Sequence, residues 1–245
     1  MAQFGYQILG FGSYTSAGGP GIWANVGDTI SSNRYMTVIA GNASAALIFG
    51  GANPNTDVVE TWNGSSFTTL SETLAATAGG STGGGTQSSA ISISGTRGGS
   101  NSTACEKWSG SSFATADALN SVAASHLCGA AEDKDNAWAC GGYDGGTVAK
   151  HEIMRSASWT LQSTDMLTPR YYLANNACGS SGNGAAVTGS TGSRSAKNEE
   201  YTLSSGSSGS WTTNTDITTA LDENPACLGK TSADDLVVFC GEAAG

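Results

Sequence analysis

EKWSGSSF, at residues 106–113, has a near copy at residues 60–67, ETWNGSSF, and residues 152–159 keep its outline as EIMRSASW. The glutamates that open such stretches lie 46, 46 and 47 residues apart, at Glu60, Glu106, Glu152 and Glu199. Each is followed two places later by a bulky residue, namely Trp62, Trp108, Met154 or Tyr201. A spacing this regular indicates that one structural unit is repeated along the chain.

The units carry the signals of four short β-strands. Apolar strands that end in glycine precede the glutamates and recur once more near the end of the chain: LIFGG (47–51), ISISG (91–95), AWACGG (137–142), AAVTG (185–189) and VVFCG (237–241). A strand upstream of these carries a small residue and a glycine: IAG (39–41), LCG (127–129), ACG (177–179) and CLG (227–229). The glutamate strand turns at a two-residue connection such as Asn63-Gly64 into a strand that begins with an aromatic residue: Phe67, Phe113, Trp159 or Trp211.

Four strands, tight turns and a period near 46 are typical of a β-propeller blade. We therefore predict an all-β fold, a five-bladed propeller with four antiparallel strands per blade, whose ring is closed by N- and C-terminal strands that share one blade. The single domain would span 1–245, with the halves of the closing blade at 1–30 and 218–245 and the other blades at 31–74, 75–120, 121–166 and 167–217. In this arrangement GIWANVGDTI (21–30), with Trp23, is the outer strand of the closing blade, and TAGGSTGGG (77–85) is a degenerate strand. A stacked solenoid is the alternative, but it would need polar capping units at both ends.

The composition limits the partners. The chain has 10 Lys and Arg against 20 Asp and Glu, a net charge of −10, which repels phosphate backbones and anionic lipids. The 35 glycines against 4 prolines favour tight turns, so we expect almost no helix. No basic segment precedes an apolar one at the N-terminus, and no apolar run is long enough to span a bilayer. We expect no nucleic-acid partner, no membrane insertion and no signal peptide.

The six cysteines predict buried thiols in a chain made in a reducing compartment. Cross-hairpin disulfides between Cys128 and Cys140, or between Cys227 and Cys240, are the alternative. No CxxC or Cys/His pairing has zinc spacing, and EDKDN (132–136) resembles a hairpin cap more than a calcium site. We therefore predict no metal and no cofactor.

The order of an Arg-Tyr opening, a strand ending in Gly-Gly, a Glu-x-Trp strand and a final aromatic resembles the kelch repeat. The openings are Arg34-Tyr35 and Pro169-Arg170-Tyr171, and the glycine pairs are Gly50-Gly51 and Gly141-Gly142. The Ser- and Gly-rich form E-x-W-N-G-S-S-F-T is similar to kelch-like propellers of bacteriophage virion proteins, particularly those of marine and cyanobacterial phages. This resemblance implies a structural part of a tail, fibre or head decoration, made in the host cytoplasm and carried on the virion. Its partners would be other virion proteins and a host-surface glycan or receptor, with multiple copies per particle.

The repeated residues favour architecture over catalysis. Glutamates at equivalent positions around a ring cannot converge on one substrate, and the repeated aromatics are better explained by packing between adjacent blades than by sugar stacking. The two histidines, His126 and His151, are too few for a triad or a histidine-rich metal centre. We therefore predict no catalytic residues and a non-enzymatic protein.

A recognition surface is expected where the repeat is broken, on the loops that open on one face of the scaffold. The residues that differ between units there are Asn53, Asn55, Arg97, Tyr143, Asp144, Arg170, Tyr171 and Tyr172. The function predicted from the sequence is a protein- or glycan-binding module active in host recognition. A carbohydrate-active enzyme on a propeller scaffold is the alternative, and it would require a central pocket with convergent carboxylates or an arginine cluster.

Overall fold

The short apolar runs of the repeated units fold into β-strands joined by turns. The computed structural model describes residues 28–121, 124–175, 179–223, 225–228, 237–239 and 242–243. Every regular element in this part of the chain is a β-strand, so it contains no helix that could cross a membrane. The expectation of almost no helix is confirmed for these residues.

Four antiparallel sheets of four strands form the body of the molecule. Sheet I contains β1 (Val38–Asn42), β2 (Ala45–Phe49), β3 (Val59–Trp62) and β4 (Phe67–Thr69). Sheet II contains β6 (Thr82–Thr86), β7 (Ser89–Ile93), β10 (Cys105–Trp108) and β11 (Phe113–Ala116). Sheet III contains β12 (Cys128–Asp133), β13 (Asn136–Cys140), β14 (His151–Arg155) and β15 (Ser158–Leu161). Sheet IV contains β16 (Gly179–Ser180), β17 (Asn183–Val187), β18 (Asn198–Ser205) and β19 (Ser208–Thr213).

The remaining strands are short. One three-stranded sheet contains β5 (Ala78–Gly79), β8 (Thr96–Arg97) and β9 (Ser100–Asn101). Two pairs complete the set: β20 (Leu221–Asp222) with β23 (Glu242–Ala243), and β21 (Ala226–Leu228) with β22 (Val237–Phe239).

The predicted five-bladed propeller, with four strands per blade and a ring closed by the chain ends, is wrong. The described strands form seven separate sheets, only four of them four-stranded, and none closes into a barrel or a propeller. The physical reason lies in the residues after the second strand of each unit, which turn out of the sheet and bridge to the start of the next unit, as Thr56 does to Ala78 and Ser102 to Ala124. The segment assigned to the closing blade, including Trp23, lies outside the described residues apart from residues 28–30.

The hairpins predicted from the glutamate motif are present. The bulky residue of each motif lies directly opposite the aromatic residue that begins the next strand, in the pairs Trp62–Phe67, Trp108–Phe113, Met154–Trp159 and Tyr201–Trp211. The two-residue connection is a correction, because four residues, 63–66, join β3 to β4. The Asn63 side chain accepts the backbone amides of Ser65 and Ser66 at 3.0 and 2.9 Å, and this cap requires the longer turn.

Three hydrophobic cores lie between consecutive sheets. Leu47 and Phe49 of sheet I share a core with Trp108 of sheet II. The second core joins sheets II and III, and the third joins sheets III and IV. The interpretation of the repeated aromatics as packing residues is confirmed for Trp108, Trp159, Tyr201 and Trp211, which all lie in these cores.

The stretch treated as degenerate is a strand with a packing role. In β6, a Cβ added to Gly83 would lie 3.1 Å from Val38 Cγ1, and one added to Gly84 would lie 3.1 Å from the Ala131 amide nitrogen. Glycine therefore lets sheets I and III approach β6 from both sides. Beside it, the buried Asn175 amide hydrogen-bonds Thr82 and donates to the Ser81 carbonyl at 3.1 Å, which ties sheet II to the segment before sheet IV.

A left-handed residue pair ends the second strand of each four-stranded unit. The pairs are Gly50-Gly51, Ser94-Gly95, Gly141-Gly142 and Thr188-Gly189, and their first residues have φ of 63°, 56°, 68° and 63°. The amide of the second residue donates to a carbonyl at the start of the following unit, for example from Gly51 to Ala78 at 2.7 Å and from Gly142 to Arg170 at 2.9 Å. The units with Ser94-Gly95 or Thr188-Gly189 therefore keep the left-handed backbone conformation of the Gly-Gly pairs. In each unit, the hydrogen bond from this residue pair to the following unit fixes the position of the adjacent loops.

Candidate functional site

The four repeated glutamates are buried and hydrogen-bonded to backbone amides about thirty residues upstream. Their exposed fractions are 1%, 4%, 2% and 1%. The amide donors are Ser31 to Glu60 (2.7 Å), Ala75 to Glu106 (2.7 Å), Asn120 and Ser121 to Glu152 (2.8 and 2.7 Å), and Leu167 to Glu199 (3.1 Å). Carboxylates held in this way fasten segments of the chain and have no access to a substrate. Their interpretation as structural residues is confirmed.

Two arginines from the predicted recognition loops each form an ion pair with one of these glutamates. Arg97 Nη1 pairs with Glu106, and Arg170 Nη1 lies 3.0 Å from Glu199 Oε1. The Arg170 side chain has no exposed surface and that of Arg97 is 6% exposed. Neither guanidinium is available to a ligand. Arg97 and Arg170 are therefore not part of the candidate recognition surface.

The tyrosines of the predicted loops converge. Tyr143 and Tyr171 have ring centroids 5.1 Å apart, and Tyr171 and Tyr172 have theirs 4.7 Å apart. The Tyr172 ring lies 4.3 Å from the His126 imidazole, edge to face. Tyr35 is close enough to Tyr172 to act on its charge. We call these five residues the tyrosine patch.

Backbone pairing holds the patch in place. Tyr143 and Ser125 exchange two backbone hydrogen bonds, at 2.8 and 3.0 Å, and Tyr171 exchanges two with Ser190, at 3.1 and 2.7 Å. The Tyr172 amide donates to the His126 carbonyl at 3.1 Å. His126 and Tyr172 have φ of 58° and 54°, a left-handed conformation that is costly for bulky residues and is kept only where the surroundings impose it.

The other residues predicted for the recognition surface, Asn53, Asn55 and Asp144, each lie in a different environment. Asn55 lies over Gly79, where its Oδ1 occupies the space that a side chain would need, and His126 similarly lies 3.1 Å from a Cβ added to Gly80. Asn53 is exposed at a cis peptide bond to Pro54. Asp144 lies in the exposed hairpin tip that follows Tyr143 and accepts the Gly146 amide at 3.3 Å.

The patch is partly exposed, and the pKa values of two of its side chains, His126 and Tyr172, are shifted so that both are uncharged at neutral pH. Tyr35 is 53% exposed and Tyr143 is 39% exposed. Burial lowers the pKa of His126 to about 4, so its imidazole is neutral. Burial, followed by the nearby Glu223 carboxylate, raises the pKa of Tyr172, so its phenol stays protonated.

The phenol hydroxyls of the patch have no hydrogen-bond partners among the described residues. Within the described part of the chain, none of the four tyrosine hydroxyls makes a hydrogen bond, whereas the buried Tyr201 hydroxyl donates to Gln162 at 2.7 Å. The patch therefore presents aromatic faces together with hydroxyl groups that can still donate and accept.

Tyr35 and His126 were missed by sequence reasoning. Tyr35 could have been found, because its Arg-Tyr opening matches that of Arg170-Tyr171. His126 gives no comparable signal, since only the fold brings it against Tyr172.

The other sites considered from sequence hold no group of three or more possible metal ligands among the described residues. In EDKDN, the Asp133 carboxylate caps the turn by accepting the amides of Asp135 and Asn136 at 2.7 and 2.9 Å, as the hairpin interpretation predicted. Cys128 lies opposite Cys140 without a disulfide, and Cys105 and Cys140 are buried free thiols. Cys240 and SADD (232–235) lie outside the described residues.

Two cavities of about 390 and 430 Å³ open elsewhere on the described surface. Their lining contains one carboxylate, Glu72, and no arginine. The convergent charged groups that a glycan-cleaving centre would need are not found in either cavity.

Comparison with known proteins identifies the fold class alone. The chain is an all-β protein of repeated antiparallel sheets with an aromatic loop surface. No protein-family model matches it, and no curated protein matches it. Among solved structures it is similar to one described as the structure of YjhT, with a TM-score of 0.67 and 11% sequence identity over 88% of this chain and 79% of that chain. At this identity the likeness shows a shared fold and nothing about activity.

Proposed function

We propose that the chain is a non-enzymatic glycan-binding module of a bacteriophage virion, carried on a tail, fibre or head decoration, and that the tyrosine patch is its binding surface. The observation that carries the proposal is the ring-to-ring contact of three loop tyrosines, Tyr143, Tyr171 and Tyr172, whose hydroxyls have no partner within the described residues.

The chemistry of the patch suits a sugar. Tyrosine combines an apolar face, on which the C–H groups of a sugar ring can pack, with a hydroxyl that hydrogen-bonds the sugar's own hydroxyls. The backbones of Tyr143 and Tyr171 are held by hydrogen bonds and their rings are in mutual contact before binding, so less side-chain conformational freedom is lost when a ligand arrives.

A non-catalytic role is supported by the use of the glutamates. A glycosidase needs two carboxyl groups that reach one glycosidic bond. The four repeated glutamates are enclosed by backbone amides, and three of them also by arginines. They are therefore committed to the fold.

The virion assignment rests on the sequence resemblance described above. It is tested by mass spectrometry of purified particles from the phage that encodes the chain. We expect the protein at a fixed stoichiometry to the major capsid protein. Its absence from washed particles would remove the virion part of the proposal and leave the binding part intact.

The binding function is tested on a glycan array with the purified protein. We expect Tyr143→Ala and Tyr171→Ala each to weaken binding by about tenfold, because each removes one stacking ring worth about 1.4 kcal/mol. Leu161→Ala is the matched control, since Leu161 is 40% exposed in β15 and outside the patch. Equal binding by all variants, release of cleaved sugar, or binding only to a virion protein would each contradict the proposal.

A further inference from the structure

The sequence contains two Asn-Gly pairs, Asn63-Gly64 and Asn183-Gly184. In such a pair the glycine amide nitrogen can attack the side-chain amide of the asparagine, because glycine has no Cβ that would shield the nitrogen or restrict the backbone. The attack requires a backbone that is free to move and a nitrogen that is not held in a sheet. The two pairs are chemically alike, so the fold decides which of them can react.

The first pair lies at the exposed tip of the hairpin between β3 and β4. Asn63 and Gly64 are both exposed, and Gly64 has φ of 94°, which glycine adopts without strain. The Gly64 amide makes no hydrogen bond to any residue that the structure describes. The attacking nitrogen is therefore open to water and unengaged, at the kind of loop tip where the backbone moves most easily.

The same turn activates the Asn63 side chain. Its Oδ1 atom accepts hydrogen bonds from the Ser65 amide at 3.0 Å, the Ser65 hydroxyl at 2.8 Å and the Ser66 amide at 2.9 Å. These donors withdraw electron density from Cγ and stabilise the negative charge that an attack places on Oδ1. Because the two serines directly follow Gly64, the side-chain carbonyl is folded back over the Gly64 peptide.

The second pair is confined within a sheet. Gly184 is buried in β17, where it lies opposite Gly179 of β16 on one side and Tyr201 of β18 on the other. A Cβ added to Gly184 would lie 2.6 Å from the Trp138 ring, so the backbone has no room to move on that side. In the amide orientation that satisfies its neighbours, Asn183 Nδ2 donates to the Tyr201 carbonyl at 3.1 Å. Reaction at Asn183 would require this strand to leave the sheet.

We infer that Asn63 is a site of spontaneous deamidation in the folded protein and that Asn183 is protected. The Gly64 nitrogen gives up its proton to water and forms a bond to Asn63 Cγ. The Cγ–Nδ2 bond breaks, and Nδ2 takes a proton from water and leaves as ammonia, which closes a five-membered succinimide. Water then opens the ring at either carbonyl, so the products are aspartate and isoaspartate. No oxidation or reduction takes place, and water is the single co-reactant.

The two products differ in what they do to the hairpin. Aspartate keeps an oxygen for the serine amides and adds a negative charge to the wall of the cavity of about 430 Å³, which Asn63 lines together with Glu72. Isoaspartate adds a methylene to the main chain between Trp62 and Phe67, which lie directly opposite each other. We therefore expect isoaspartate to disrupt the turn and aspartate to preserve it.

The test follows both asparagines in one sample, by peptide mapping and mass spectrometry of the protein incubated in mildly alkaline buffer. We expect Asn63 to convert at least about tenfold faster than Asn183 in the folded protein. In urea the two rates should become equal, because the fold then no longer distinguishes the pairs. Asn63→Ser copies Ser109-Gly110 of the next unit and should abolish the acidic species on ion exchange. Equal rates in the folded protein, or an Asn63 that stays intact, would overturn the inference.

The contribution of the turn is tested with Ser65→Ala, which removes the hydroxyl donor to Asn63 Oδ1. We expect the conversion of Asn63 to slow by about threefold, the kinetic effect of losing one modest hydrogen bond. Ser111→Ala is the matched control, because Ser111 occupies the equivalent exposed position in the next hairpin, and it should leave the rate unchanged. An unchanged or faster rate in Ser65→Ala would show that the turn does not activate Asn63.

Discussion

Thr188 combines two unfavourable features at one buried position. It is a β-branched residue with φ of 63°, and its Oγ1 atom is buried without a hydrogen-bond partner among the residues that the structure describes. Left-handed backbone costs a residue with a side chain about 1–2 kcal/mol, and glycine avoids that cost. We predict that Thr188→Gly raises the free energy of unfolding by about 1 kcal/mol, measured by urea denaturation, even though glycine gains entropy in the unfolded chain.

Ser94 is the matched control because it occupies the equivalent position two repeats earlier, with φ of 56°. Its hydroxyl lies 2.6 Å from the Ser102 carbonyl and 2.7 Å from the Ala124 carbonyl. Ser94→Gly relieves the same backbone strain but loses this hydrogen bond, worth about 1 kcal/mol, so we expect no gain in stability. Stabilisation of both variants to the same extent would show that the hydroxyls play no part.

At the scale of elements, each glutamate fastens its strand to a segment of chain upstream, and the cost of losing it depends on its partner. Glu199 neutralises Arg170, which has no exposed surface, whereas Glu152 accepts amide donors alone. We predict that Glu199→Gln lowers the free energy of unfolding by about 3–5 kcal/mol, because it leaves a buried guanidinium unpaired.

Glu152→Gln should cost less, about 1–3 kcal/mol, since it removes one acceptor from a pair of backbone amides and buries no unpaired charge. Thermal and urea unfolding of the two variants check the difference. A larger loss in Glu152→Gln than in Glu199→Gln would mean that the amide contacts, and not the ion pair, dominate these junctions.

Sequence reasoning succeeded where the signal is local. The glutamate and its bulky neighbour have the period of a strand, so the hairpins that join Trp62 to Phe67 and Trp108 to Phe113 were predictable. The strand β6 was not, because three successive glycines have poor strand propensity and are explained only by the sheets packed against them.

The candidate site was predictable in part for the same reason. Tyr143, Tyr171 and Tyr172 were selected because they interrupt the repeat, but their mutual contact and the addition of His126 depend on tertiary structure. Arg97 and Arg170 interrupt the repeat equally well, and nothing local reveals that their partners are buried glutamates. Closure of a ring was inferred from complementary half-units, yet the described strands form separate sheets within units, and only isolated bridges such as Thr56 to Ala78 join one unit to the next.

For the molecule as a whole, successive sheets are joined by shared cores, and the core between sheets III and IV contains a titratable group. His151 is 1% exposed and packs against Trp138, Tyr201 and Trp211, with ring centroids 5.8, 4.1 and 5.3 Å away. Neither of its nitrogens has a hydrogen-bond partner among the described residues. Burial lowers its pKa to about 3 from the ordinary 6.5.

Stability should therefore fall in mild acid. Below pH 6.5 the unfolded state takes up a proton that the folded state excludes until about pH 3, so folding loses free energy as the pH drops through this window. The loss approaches about 1.4 kcal/mol per pH unit for His151, and His126, with its pKa lowered to about 4, adds to it.

His151→Phe separates this effect from general acid denaturation. Phenylalanine keeps an aromatic ring between Trp138 and Tyr201 and cannot be protonated, so we predict a shallower fall in the free energy of unfolding between about pH 7 and pH 5, with stability at pH 7 unchanged or higher. The slope that remains should come from His126, and replacing both histidines should flatten the profile above the range in which carboxylates such as Asp135 titrate. Urea unfolding at several pH values measures these slopes. If His151→Phe kept the full pH dependence, the imidazole would have to be solvated or paired in the folded protein. The interpretation of the contact between sheets III and IV as one that excludes water would then be wrong.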